Sequence, residues 1–148
     1  MAEFRSSDVI FLDTNVYVYA LENEDLLGKK ARELFTSISE KKPHIYTSVL
    51  TVAEVLTGVF KKGLEARIEE YLEFISGNGS IKVLDIDRKI SIASAQLRAE
   101  LELKKKSKLK TPDSLQLACA LSVGSNKFVT ADKNIPKKIG GTRVLLLK

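Results

Sequence analysis

The chain has 148 residues, of which 44% are hydrophobic and 29% charged, as in an ordinary globular domain. That length favours one domain over residues 1–148, able to bury roughly 70% of the surface its unfolded chain exposes. Its single cysteine, Cys119, excludes an intrachain disulfide, and no run of about 18 apolar residues is available to span a membrane. Residues 1–8 are charged and lack an apolar signal core, so a cytoplasmic location is expected. The net charge of +5 permits a polyanionic partner without requiring one.

Along the chain, Val9-Ile10-Phe11-Leu12 reads as a strand buried on both faces, ended abruptly by Asp13. A short helix is expected over 15–21. A second over 26–42 carries the stripe Leu27, Ala31, Leu34, Phe35 and Ile38, and Pro43 stops it. Residues 44–47 form the next strand. Ser48 then caps a helix to about residue 62, with Val49, Val52, Ala53, Leu56 and Phe60 expected on its core face. A helix over 64–75 and a turn at Gly77-Asn78-Gly79-Ser80 precede a strand over 81–86.

Asp87 caps a long helix over 88–104 whose inner face is read as Ile90, Ala93, Leu97 and Leu101. Thr111 as N-cap and Pro112 at the first helical position start a further helix through Val123, apolar on most sides and therefore central. Strands over 127–130 and 143–147 complete the chain. Strands alternating with helices indicate an α/β fold with a mainly parallel sheet.

In open sheets of this kind, ligands bind beyond the carboxyl ends of the strands. Asp13 follows the first strand, and Asp132 lies two residues past the strand ending at Thr130. Asp113 sits in the first turn of its helix, and Glu54 is placed in an apolar stretch of another. Each acid has a plainer role open to it. Asp13 can cap a helix, Asp113 can complement a helix dipole and Asp132 can belong to a turn. Taken together, converging carboxylates repel one another unless protonated or neutralised by a cation. All-oxygen ligands suit Mg²⁺ or Mn²⁺, and such an ion can activate water for attack on phosphorus. No serine, cysteine or histidine nucleophile is then needed. Cys119 reads as a core residue.

Lys104, Lys105, Lys106, Lys108 and Lys110 crowd into seven residues. They form either a solvated loop or a polyanion contact. Their position directly before Thr111-Pro112-Asp113 favours the polyanion contact.

Four segments resemble the PIN domain family, and within it the VapC-type toxins. They are Phe11-Leu12-Asp13-Thr14-Asn15-Val16, the stretch from Ser48-Val49-Leu50-Thr51-Val52-Ala53-Glu54 to Gly58, Lys110-Thr111-Pro112-Asp113 through Gln116 to Ala118, and Phe128-Val129-Thr130-Ala131-Asp132. Order and spacing agree along essentially the whole chain. The resemblance implies a three-layer α/β/α fold around a central, mainly parallel four- or five-stranded sheet. It also implies Mg²⁺- or Mn²⁺-dependent endoribonuclease activity on single-stranded RNA. Asp13, Glu54, Asp113 and Asp132 match the family's catalytic and metal-binding acids. Thr14, Asn15 and Thr130 match the small polar residues around them. A homodimer and a small antitoxin partner are implied as well. One departure is Ile135, where the family often has an aromatic residue.

Two other readings compete with a toxin: a housekeeping PIN-type nuclease of RNA processing, and a non-catalytic RNA-binding module. Retention of all four acids argues against the latter. A phospho-acceptor Asp13 lacks the second Asp that the haloacid-dehalogenase-type motif would want at Asn15, and it lacks the paired acids of a receiver domain.

Overall fold

The computed structural model describes residues 4–148; the first three residues of the charged N-terminal segment lie outside the described residues. The strands are β1 (Val9–Leu12), β2 (His44–Ser48), β3 (Ile81–Leu84), β4 (Lys127–Thr130), β5 (Lys138–Ile139) and β6 (Thr142–Leu146). The helices are α1 (Thr14–Glu22), α2 (Leu26–Lys41), α3 (Val49–Lys61), α4 (Ile68–Ile75), α5 (Arg88–Leu103) and α6 (Thr111–Ser122). The sheet order is β3-β2-β1-β4-β6-β5, with only the β5–β6 pair antiparallel. Among the described residues, the expected four or five strands become six through β5. Its two residues carry no alternation to read. They are paired to β6 only because Gly140, at φ +57°, turns the chain between Ile139 and Thr142.

Side-chain alternation along the strands separates the layers. Ile10 and Leu12 of β1, with Ile45, Ile81 and Val129, pack beneath Val16, Tyr17, Leu34, Ile38 and Val55 of α1–α3. Phe11 and Phe128 point the other way, against Leu101 of α5 and Leu117, Cys119 and Ala120 of α6. Their rings stack with centroids 5.5 Å apart. Burying each of these phenylalanines stabilises the fold by roughly 2–3 kcal/mol. The architecture is therefore three-layer α/β/α, as expected. Among the described residues, no helix is long and apolar enough to cross a membrane.

Two helix faces differ from the expected ones. On α3 the residues turned inward are Thr51, Val55 and Val59, while Val49 and Phe60 are exposed. Thr51 is buried because its hydroxyl is satisfied by polar neighbours, which rotates the helix away from the most apolar stripe. On α5, Ser94 occupies the place given to Ala93, its hydroxyl paired at 2.8 Å with that of Ser114 on α6. Two starts also shift. The segment before α4 tightens into a 3-10 turn at Glu65–Arg67. The cap of α6 is Lys110, because the Thr111 hydroxyl instead accepts a hydrogen bond from Arg98. Between α1 and α2, a Cβ on Gly28 would lie 1.8 Å from the Asn23 carbonyl oxygen, so this corner admits only glycine.

Candidate active site

The chain leaves β1 toward β2 and β3, then returns to β4 on the other side of β1. That reversal opens a crevice beyond the carboxyl ends of β1 and β4. Asp13 and Asp132 stand there. Asp13 is 5% exposed. One of its carboxylate oxygens accepts the Thr14 N–H at 2.8 Å, capping α1, and the other accepts the Thr130 hydroxyl at 2.8 Å. Capping and site placement are thus compatible. Asp132 likewise keeps its turn role, accepting the Asn134 N–H at 2.8 Å.

Asn15 clamps the two strand ends together. Its Nδ2 donates to the Thr130 hydroxyl at 3.1 Å, and its Oδ1 accepts the Ala131 N–H at 2.9 Å. The Thr130 hydroxyl also accepts the Asp132 N–H at 3.0 Å. One hydroxyl therefore links Asp13, Asn15 and the loop carrying Asp132.

Glu54 comes from α3. It is exposed, and its Oε1 accepts the Thr14 hydroxyl at 3.0 Å. With that proton committed, Thr14 receives a hydrogen bond from Gln116 Nε2 at 3.1 Å. Gln116 also donates to Thr51 at 3.0 Å and accepts from the Ser48 hydroxyl. A directed chain, Ser48 to Gln116 to Thr14 to Glu54, therefore runs beneath the acids. Gln116 is 1% exposed, and sequence reasoning singles out neither it nor Ser48 and Thr51 as site residues. The available signal is a glutamine on the most buried helix, three residues after Asp113.

Asp13, Glu54 and Asp113 line one cavity of about 540 Å³. Asp132 lines an adjoining groove instead, but its charge acts on Asp113. Burial raises Asp13 to about 7 despite the Thr130 and Thr14 hydrogen bonds, with Asp113 and Glu54 adding to the rise. Burial also raises Asp113, helped by Asp132 and Glu54 and opposed by Lys110. Among the described residues, no three of these side chains form a closed metal-ligand cluster. The donor set nevertheless fits a hard divalent cation: oxygen ligands only, one of them buried, in an excess of negative charge.

All five lysines of the 104–110 run are exposed, and none lines the acid cavity. Lys110 is near enough for its charge to act on Asp113. Leu109, 5% exposed, anchors the run, and the Ser107 hydroxyl donates to the Asn134 carbonyl at 3.1 Å. Cys119 is fully buried, its thiol pushed up to about 11 by burial and then by Asp87. It is a core residue.

The sequence profile described as the PIN domain matches residues 10–140. The chain belongs to the PIN domain family. No curated protein matches it at a significant level. Among solved structures, VapBC2 from Rickettsia felis, bound to a promoter DNA fragment, aligns with a TM-score of 0.72 at 21% identity, over 95% of this chain and 99% of that one. DNA-bound VapBC from Salmonella typhimurium aligns at 0.68 and 25% identity, over 95% and 99%. VapC20 from Mycobacterium tuberculosis, a toxin that cleaves the sarcin-ricin loop, aligns at 0.62 and 16%, over 80% and 86%. This PIN domain therefore shares its fold over nearly its full length with the matched chains of the two VapBC complexes. The acids described above stand within the matched span.

Proposed function

We propose that this PIN domain is a Mg²⁺- or Mn²⁺-dependent endoribonuclease that hydrolyses phosphodiester bonds of single-stranded RNA. The observation that carries this reading is the convergence of Asp13, Glu54 and Asp113 on one cavity at the point where the strand order reverses. Asp13, Glu54, Asp113 and Asp132 are the proposed catalytic and metal-holding residues, the last from the rim. When bound, the cation supplies Lewis acidity to a phosphoryl oxygen and lowers the pKa of the attacking water. The chain's own residues prepare the site for it. Thr130 and the Thr14 N–H favour the charged form of Asp13, against its burial. Thr14 holds one oxygen of Glu54, leaving the other available. Lys110 favours the charged form of Asp113.

The toxin role, a homodimer and a small antitoxin partner belong to the same proposal. A solved toxin–antitoxin complex from Klebsiella pneumoniae also aligns with this chain, with a TM-score of 0.68 at 23% identity, which supports a partner. A cleft of about 220 Å³ beside Glu54, lined by Val18, Leu21, Val55 and Tyr71 and by the Lys62–Glu22 ion pair, offers a seat for an amphipathic segment of that partner.

Purified protein incubated with single-stranded RNA of mixed sequence is expected to cleave it with Mg²⁺ or Mn²⁺ and to stop on addition of chelator. No cleavage across varied sequences with either ion would count against the proposal. RNA binding that ignores chelator and gives no products would favour the non-catalytic module. Because ligands must be deprotonated, Mn²⁺ affinity is expected to rise between about pH 6 and 8, as Asp13 titrates near 7.

Gln116→Leu is expected to lower activity roughly 10- to 100-fold, the usual cost of losing a residue that orients ligands. It also leaves the buried Ser48 hydroxyl proton without its acceptor and removes one donor from each of Thr14 and Thr51, costing about 1–3 kcal/mol. A rate profile together with a melt checks both. Wild-type turnover in a destabilised variant would show Gln116 to be merely structural.

A further inference from the structure

We propose that the groove along the β5–β6 edge binds the phosphate backbone of the RNA strand and leads it to the acids. This inference rests on the ribonuclease reading above. The groove, about 1020 Å³, is lined by Asp132 and otherwise by cations and apolar residues, the cations being Lys133, Lys137, Lys138, Arg143 and Lys148. All five are exposed, and among the described residues none has an ion-pair partner. Among the described residues, Asp132 is the only acid lining it.

Lys138 stands directly opposite Arg143 in the antiparallel β5–β6 pair. Like charges so placed are destabilising, and no carboxylate relieves them. A polyanion lying over the pair would. Lysines on an edge strand also discourage edge-to-edge association. That role accounts for Lys138 and Arg143 but not for Lys133 and Lys137, which fall between Asp132 and the edge strand. The other basic segment is tied to the loop between Asp132 and β5, because the Ser107 hydroxyl donates to the Asn134 carbonyl at 3.1 Å. Val144 and Leu145 give the wall an apolar surface for sugar and base.

The test measures binding of a labelled 20-nucleotide single-stranded RNA in chelator, so that affinity is read without cleavage. The groove variant is Lys137→Gln/Lys138→Gln/Arg143→Gln. The control, Lys29→Gln/Lys41→Gln/Lys82→Gln, removes equal charge from exposed positions outside the groove. In the groove variant, affinity is expected to fall roughly 10- to 100-fold and the slope of log K against log salt to shrink by about 2, at about 0.7 for each phosphate no longer neutralised. The control is expected to lose less than about threefold. Equal losses in both variants, or an unchanged salt slope in the groove variant, would overturn the proposal while wild-type cleavage still upheld the ribonuclease reading. Intact RNA affinity with lost binding of a polyglutamate peptide would overturn it in favour of an acidic protein partner. If wild type neither binds nor cleaves RNA, the underlying reading has failed and the groove proposal falls with it.

Discussion

Asp13→Asn is expected to abolish RNA cleavage and, in the same molecule, to raise the thermal stability of the metal-free protein at pH 8. Removing a carboxylate proposed to hold the cation should forfeit several kcal/mol of charge stabilisation in the transition state, roughly three orders of magnitude in rate. The stability gain has the opposite origin. Burial, with Asp113 and Glu54 nearby, raises Asp13 from 3.8 to about 7. The folded protein therefore binds more protons than the unfolded chain between these values, so stability falls as pH rises through that window. At about 1.4 kcal/mol for each pH unit between the two values, the cost is on the order of a few kcal/mol above pH 7. Asparagine carries no charge and avoids it. Wild type and variant should therefore melt alike near pH 4 and diverge toward pH 8, the variant higher. Added Mn²⁺ should raise the wild-type midpoint and leave the variant's nearly unchanged. Equal activity in the variant would remove Asp13 from the chemistry. A lower midpoint at pH 8 would mean that the hydrogen bonds from Thr130 and Thr14 outweigh the buried charge.

Lys127→Met is expected to cost about 3–5 kcal/mol, because it leaves a buried carboxylate without its cation. Lys127 Nζ lies 2.6 Å from Asp8 Oδ2, with side-chain exposures of 14% and 5%. Asp8 also accepts the Arg5 N–H at 2.7 Å and Asn126 Nδ2 at 2.9 Å. Burial alone would raise this carboxyl. The hydrogen bonds from Lys127, Arg5 and Asn126, together with the Lys127 charge, outweigh burial and hold it at about 2. The pair therefore contributes stability that is complete above the ordinary carboxylate value and is lost as pH falls through about 2. Urea melts at pH 7 should show the full deficit in the variant. The gap to wild type should narrow below about pH 4, where an unpaired Asp8 takes up a proton. Asp8→Asn/Lys127→Met should recover part of the loss. A deficit independent of pH would assign the effect to packing against the Phe4 ring, which Lys127 also overlies at 5.4 Å.

The two aspartates sit at opposite ends of the same strand, β1, and their environments push them in opposite directions. Asp8 has a lysine and a full set of donors, so it is a fixed structural charge. Asp13 has donors but no cation, and its neighbours are further carboxylates. Burial alone does not separate these cases, since Asp8 is 4% and Asp13 5% exposed. The partners do.

The strands β1 and β4, the caps at Ser48 and Asp87, and the α/β order are close to the residues that encode them. Each depends on neighbours within a few residues: an apolar run, a capping side chain, a proline. The acids can be named because their motifs are local and because strand ends are where an α/β sheet places its chemistry. Less legible are features that need two distant segments to meet. The inward face of α3 departs from its most apolar stripe because Thr51 is a poor core residue until Thr14, Thr47 and Gln116 satisfy its hydroxyl. Ser94 replaces Ala93 on the inner face of α5 for the same reason, through Ser114.

Local order alone thus determined the alternation of strands and helices and a mainly parallel sheet, and it marked the four candidate carboxylates, because backbone propensity and hydrophobic period are short-range properties. Only tertiary structure decided that Asp13, Glu54 and Asp113 share one cavity while Asp132 faces the basic groove. Only tertiary structure, too, set the hydrogen-bond chain through Gln116, because a buried polar side chain is tolerable only where residues far apart in sequence supply its partners.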